Sequence, residues 1–389
     1  MKILFFIHRF PGYGGIETVT TVIANFLYEQ GYNVRIISFI QEDEELLEKL
    51  NKKITLYRFP NQHNTLSIEN EDFFYSIISS FQPDTIINQE SYAKTFDLLV
   101  KVKSKISSKI ITVEHNSPDA IYKMLYNFLK HEKFEFNGKR VLKKLFQPVI
   151  IYHKLYKIRK DHRLFYKYSD EYILLSKKFI PVFKKTAGLK IIDKIKSIEN
   201  PVTIKPQRIE LKNKEKIVLY VGRLDNEHKQ VDRLVKILGK IFQIIPDWKF
   251  VIVGDGKDRI LLEDLVNEKK ILNIEFKGSQ SNVIQYYSKA SILCMTSNVE
   301  GWPLVLAEAM TYGCVPVLYN SFASASDIVE NGINGILIEP FDEDLYVTAL
   351  SELMINNDKR EFMALQAIQD STRFSLEVIG NKWIQLLKK

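Results

Sequence analysis

Short unbroken apolar runs recur along the first half of this chain, at Ile3–Ile7, Val34–Phe39, Ile54–Tyr57, Thr85–Asn88 and Ile110–Glu114. Each is strand-length, and helix-length segments such as Glu17–Gln30 and Ser91–Val102 lie between several of them. Strands that are apolar on both faces and separated by helices predict a parallel sheet covered on both sides. After a basic stretch, Glu171–Leu175 and Ile195–Ile198 add two more strands.

The pattern breaks at residues 198–216, IENPVTIKPQRIELKNKEK, which are rich in proline and charge. It restarts with Val218–Val221, Lys249–Val253, Ile274–Phe276, Ile292–Met295 and Val315–Leu318. Two strand–helix arrays joined by a polar linker predict two doubly wound, Rossmann-like α/β domains, whose facing carboxyl ends would form a cleft for ligands. We place the domains at residues 1–199 and 200–370. Residues 371–389 hold an amphipathic helix, Phe374–Leu387, expected to cross back to the first domain.

Composition narrows the class. At 389 residues, 46% hydrophobic and 26% charged, the chain matches a globular protein of two domains. The N-terminal apolar run is too short for a signal peptide, and no stretch suits a membrane-spanning helix. Cys294 and Cys314 sit in apolar contexts that suit buried free thiols of a reducing compartment. No Cys or His cluster has metal-ligand spacing. These features predict a cytoplasmic protein.

Charge changes the picture in one place. The net charge is +8, yet residues 139–168 alone carry ten Lys or Arg against one acid, Asp161. Their alternation with Leu, Ile, Phe, Val and Tyr suits helices on an anionic membrane surface. A solvated face whose aliphatic stems cover the core explains the same pattern. Nucleic-acid binding has no reading module elsewhere to support it.

Four groups of residues can carry chemistry. The first strand ends at His8, and a loop with Gly12, Gly14 and Gly15 leads into a helix, where backbone can approach an anion or simply turn tightly. Arg223 and Lys229 in YVGRLDNEHK lie at a strand's carboxyl end beyond Gly222, and suit a diphosphate or solvent. His115, in Glu114-His115-Asn116, could position a hydroxyl or only complete a hydrogen-bonded strand end.

The fourth group is SNVEGWPLVLAEAM. Pro303 suits a first helical turn, Glu300 and Gly301 precede it, and Glu308 falls on the second turn among apolar residues, where a carboxylate needs a partner. Glycoside hydrolysis would need two carboxyls about 5–9.5 Å apart across one bond, whereas this spacing favours gripping two parts of one long ligand. Asp342-Glu343-Asp344 looks like a metal motif but opens a helical pattern, so capping accounts for it.

Together these tracts resemble the retaining, nucleotide-sugar-dependent glycosyltransferases of family 4, which have the GT-B fold. Gly14-Gly15-Ile16-Glu17, Val221 to Lys229 and Glu300 to Glu308 carry the resemblance. IVGDGKDR from Ile252 (with Gly254), FKGSQSN from Phe276 (with Gly278 and Ser279) and SDIVENGINGILIEP from Ser326 extend it. The resemblance implies that Arg223 and Lys229 neutralise the donor diphosphate and Glu308 holds the ribose. It implies that Glu300, with the N–H groups of Gly301 and Trp302, holds the sugar, while Leu304 N–H reaches phosphate. Gly15 would approach the diphosphate, and His115 would touch the transferred sugar. Asp327, and Tyr319-Asn320-Ser321-Phe322 without glycines, depart from the family pattern and leave the sugar open.

The implied activity is transfer from a nucleotide sugar, with UDP taken as the base, to a glycan acceptor, lipid-linked in bacterial-type surface polysaccharide synthesis. No metal or other cofactor is expected. The basic segment implies peripheral attachment at the inner face of the cell membrane. Two alternatives remain: a catalytically silent nucleotide-sugar-binding partner, which would be expected to lack a charged site residue, and a nucleotide-sugar epimerase of similar shape.

Overall fold

A computed structural model describes residues 1–90, 93–123, 147–207 and 209–388. The start of the expected helix at Ser91 and residues 139–146 of the basic segment, with Lys143 and Lys144, lie outside the described residues. The chain divides into two compact units: Met1–Tyr122 with the described part of Glu132–Thr203 and Leu376–Lys389, and a second built mainly on Ile204–Ser375.

In the first unit the strands are β1 (Lys2–Arg9), β2 (Asn33–Ile40), β3 (Thr55–Arg58), β4 (Thr85–Asn88), β5 (Lys109–Glu114), β6 (Glu171–Leu174) and β7 (Ile195–Ser197). They form one sheet in the order β3-β2-β1-β4-β5-β6-β7, every pair parallel. The helices are α1 (Gly15–Glu29), α2 (Ile68–Phe81), α3 (Ala93–Lys103), α4 (Gln147–Tyr168) and α5 (Phe179–Ala187). Central strands are inaccessible on both faces: Ile3, Leu4, Phe5 and Phe6 of β1 have no exposure. That burial is why the runs read as continuously apolar.

The second unit repeats the plan with β8 (Glu215–Val221), β9 (Lys249–Val253), β10 (Ile274–Phe276), β11 (Ala290–Met295), β12 (Val315–Tyr319) and β13 (Ile336–Ile338). Their order is β10-β9-β8-β11-β12-β13, again all parallel. Its helices are α6 (Val231–Ile241), α7 (Arg259–Glu268), α8 (Ile284–Lys289), α9 (Leu304–Thr311), α10 (Ala325–Ile328), α11 (Glu343–Ile355) and α12 (Asn357–Ser371). In each sheet the strand order reverses beside the first strand, the place where open α/β sheets receive ligands.

The last helix, α13 (Leu376–Leu387), belongs to the first unit. It packs on α1, where a Cβ on Gly380 would come within 2.3 Å of the Phe26 ring, so glycine is required for that approach. Asp342 does cap α11, its Oδ1 accepting from Leu345 N at 2.9 Å. Cys294 and Cys314 are buried and free. No described helix is long and apolar enough to cross a membrane.

Candidate functional site

In the second unit, two loops leave adjacent strands β8 and β11 at their carboxyl ends. Loop 222–230 carries Arg223 and Lys229, and loop 296–303 carries Glu300. Thr296 Oγ1 donates to the carbonyls of Lys229 and Gln230 at 3.1 and 2.9 Å. Asn298 N donates to His228 O at 2.8 Å. These bonds bring Lys229 and Glu300 together, Nζ to Oε1, at 2.6 Å with both side chains mostly covered. The two residues assigned to different parts of one ligand are thus paired with each other.

Arg223 stays outside that pair. Its side chain is 64% exposed, with Nη2 3.5 Å from Asp225 Oδ2. Burial alone would raise the Asp225 carboxyl, but His228 and Lys257 hold it below its ordinary range. Asp225, Glu227 and His228 bring ligand atoms within 4.8 Å of one another, a spacing that could hold a metal ion. Lys257 Nζ already lies 3.3 Å from both Asp225 Oδ1 and Glu227 Oε2, supplying a cation to that cluster.

Pro303 is not inside the helix. Its ψ of 105° keeps it extended at the cap position, and α9 begins at Leu304 with no side chain capping it. The proline ring fixes φ but leaves ψ free, so it can end a loop as readily as open a helix. The first N–H groups of α9 therefore remain for a ligand. Ser324 Oγ donates to Gly301 O at 2.6 Å and fixes the turn before the helix. Trp302 is buried edge-on against Phe374, centroids 5.2 Å apart. Among the described residues, Gln230 Oε1, Ser297 Oγ, Asn298 Nδ2 and Trp302 Nε1 are buried with no hydrogen-bond partner. Such a concentration on two loops marks a place where polar groups await a partner.

Glu308, on the second turn of α9, is buried and accepts from Tyr287 OH at 3.1 Å. Burial, then the Glu308 charge, push the Tyr287 phenol well above its usual value. The glycines have a packing reason. Gly254 N donates to Gly278 O at 2.8 Å, and a Cβ on Gly254 would lie 1.9 Å from Gly222 O. Gly222, Gly254 and Gly278 thus bring the ends of β8, β9 and β10 together, with Ser279 next in line.

In the first unit, His115 at the end of β5 is buried, with Nε2 2.6 Å from Gln89 Oε1. Burial lowers its pKa to about 4, so the ring is neutral. With Gln89 Oε1 as acceptor, Nε2 carries the proton. Gly14 precedes α1 without a side-chain cap, and Glu17 folds over it: a Cβ on Gly14 would lie 2.1 Å from Glu17 Oε2. Burial raises the Glu17 carboxyl. Any anion approaching Gly14 and Gly15 therefore meets a carboxylate first. Glu90, one residue beyond Gln89, is raised to about 7 by burial and then by the Glu17 charge, against a backbone bond from His8 N.

Tyr287, Asp225, Gln89 and Glu90 were not singled out from the sequence. Tyr287 lies in an ordinary amphipathic stretch, and Gln89-Glu90 could have been found only by extending β4 to its carboxyl end.

Comparison with known proteins fits this architecture. The model of the family described as "Glycosyl transferases group 1" matches residues 202–370. An uncharacterised glycosyltransferase of Haemophilus influenzae is 30% identical over 99% of both chains. This chain belongs to that glycosyltransferase family.

Over 45% of this glycosyltransferase and 48% of the relative, it is 31% identical to a Campylobacter jejuni α-1,4-N-acetyl-D-galactosaminyltransferase named for a diphosphoundecaprenol-linked saccharide. The structure of Anabaena HepE in complex with UDP and glucose is 18% identical, covers 100% of this chain and 99% of its own, and has a TM-score of 0.77. That likeness shows the fold, the two-sheet GT-B fold, for the glycosyltransferase described here.

Proposed function

We propose that this glycosyltransferase moves a sugar from a nucleotide-sugar donor, UDP-linked, to a lipid-linked glycan acceptor, with retention at the anomeric carbon, in bacterial surface-polysaccharide assembly. The observation that carries the donor site is the Lys229–Glu300 pair beside the uncapped start of α9. A diphosphate offers Lys229 a stronger partner than one carboxylate, and the exchange frees Glu300 for sugar hydroxyls. Arg223 adds a planar fork on the same loop, and Glu308 lies one helical turn further on for the ribose.

Those placements support the following reaction. The acceptor oxygen–C1 bond forms as the C1–phosphate oxygen bond breaks, on the same face, and the acceptor proton passes to the departing diphosphate. Lys229, Arg223 and the α9 amides stabilise the charge that develops on it, so no metal is needed in this mechanism. His115, neutral and fixed by Gln89, can accept a sugar hydroxyl through Nδ1 without adding charge.

The relative acting on a diphosphoundecaprenol-linked saccharide supports the acceptor class. The exposed apolar and basic half of α4 supports peripheral contact with an anionic membrane, and the UDP-bound neighbour supports the base. The presence of His115, Arg223, Lys229, Glu300 and Glu308 argues against a silent partner. The test is nucleotide release across a panel of nucleotide sugars, with and without lipid-linked glycans. Acceptor-stimulated release is expected, and Lys229→Ala should lower kcat by about 10²–10³. Tight nucleotide binding with no turnover of any donor would overturn the proposal in favour of the silent partner.

A further inference from the structure

We propose that Glu90 belongs to the acceptor site, its carboxylate gripping hydroxyls of the neutral sugar that receives the transferred residue; this rests on the glycosyltransferase reading above. Glu90 follows β4, which pairs with β1 where the strand order of the first sheet reverses. Its backbone is held from both sides by Asn88: Asn88 Nδ2 donates to Glu90 O at 2.7 Å, and Glu90 N donates to Asn88 Oδ1 at 3.2 Å. One carboxyl oxygen, Oε1, accepts from His8 N at 3.0 Å. Among the described residues the other oxygen has no partner, and no cation pairs with the group.

The chemistry selects the ligand class. Titratable or charged neighbours come from each packed element: His8 and Arg9 of β1, Glu17 of α1, and His115 of β5 through Gln89. Arg9, the cation among them, is engaged with Glu42 and Asp43 at 2.8 and 3.1 Å. A half-buried carboxylate beside a second one repels phosphate and is stabilised by neutral O–H donors. Sugar hydroxyls supply those donors, whereas the nucleotide diphosphate does not suit this position. Burial also holds Glu90 at about 7, so its ionisation falls within the working range. A ligand that donates to the carboxylate favours the ionised form, and acceptor binding should tighten as pH rises through that value.

The test uses the full chain and a donor that the unaltered enzyme consumes. Glu90→Ala should raise the acceptor KM at least about tenfold while acceptor-free donor hydrolysis stays within about twofold. Glu90→Gln keeps a carbonyl for His8 N and guards against misfolding. It should bind acceptor at a level independent of pH between about 6 and 8, where the unaltered enzyme gains affinity. An unchanged acceptor KM in Glu90→Ala, or equal loss of transfer and hydrolysis, would overturn the assignment. If no donor is consumed at all, the glycosyltransferase reading fails separately. Glu90 is then decided by saturation-transfer NMR with methyl glycosides of glucose, galactose and N-acetylgalactosamine: signals lost in Glu90→Ala support it. The same signals in both proteins, or none in either, overturn it.

Discussion

Glu308 shows what a single residue reveals and conceals. Its position among Leu304, Leu306, Ala307, Ala309 and Met310 makes a buried carboxylate legible, and elementary energetics demands a partner. Which partner was not legible. Tyr287 lies on α8, 21 residues away, and the two meet because β11 and α9 return the chain past it. If Glu308 holds the ribose, Tyr287 positions it. Glu308→Ala should therefore weaken nucleotide binding by about 10–100-fold, the loss of charged hydrogen bonds to the ligand. Tyr287→Phe should cost less, about 3–10-fold, since one neutral donor is removed and the carboxylate remains. Calorimetric titration with UDP measures both. Equal affinity in Glu308→Ala and the unaltered protein would remove Glu308 from the site. Lys229 and Glu300 make the complementary point: the sequence marks both as candidates, but only folding shows that they pair with each other without ligand.

At the scale of elements, strand positions were readable because both faces of each sheet are covered, and apolar runs then have no alternation to blur them. β13, Ile336–Ile338, is three residues in a polar setting, and it was legible only through the helix–strand resemblance of SDIVENGINGILIEP. The basic segment divides in a way its composition does not announce. In the second half of α4, His162 and Phe165 are buried, and Arg163 donates to Ala187 O and Gly188 O at 2.8 and 3.0 Å, with Arg159 reaching Thr186 O at 3.4 Å. Those cations cap the carbonyl end of α5 and are structural. The first half is different. Val149, Tyr152, Leu155 and Tyr156 are exposed alongside Lys154 and Lys157, an apolar and basic surface together. The structural explanation of the charge run thus accounts for the second half of α4, and the proposed membrane contact falls to the exposed first half. Lys154→Ala with Lys157→Ala should weaken binding to vesicles of anionic lipid by about 2 kcal/mol, roughly 30-fold, at about 1 kcal/mol per cation. Vesicle sedimentation reads this directly. Unchanged binding would remove the membrane surface as a partner of this half of the helix.

Across the whole molecule the two units differ in how they carry protons. The first buries two neutral histidines, His115 and His162, each lowered to about 4 by burial. The unfolded chain binds those protons near pH 6.5, so between about 6.5 and 4 it holds more protons than the folded unit. Stability then falls as pH falls through that window, by on the order of 3 kcal/mol per histidine at its acid end. Glu90 opposes this. Raised to about 7, it keeps a proton when folded that the unfolded chain has lost above about 4.5, so its contribution declines as pH rises toward 7. Glu17 and Asp161, also raised by burial, act in the same direction as Glu90, while the lowered His8 and Asp170 act with the histidines. The two large histidine shifts exceed the one large carboxyl shift, and the net slope in the first unit is toward instability in acid. His162 also lies 3.7 Å from Glu114. The second unit has one histidine among its described residues, His228, which is only half-buried and lies 2.9 Å from Asp225. Mild acid should therefore open the first unit before the second. Hydrogen exchange at pH 7, 6 and 5 should show protection lost first in peptides of β1, β4 and β5, and Glu90→Gln should steepen that loss by removing the opposing slope. Protection that is flat across this range in the first unit, or lost first around β8 and β11, would contradict the assignment of two buried neutral histidines.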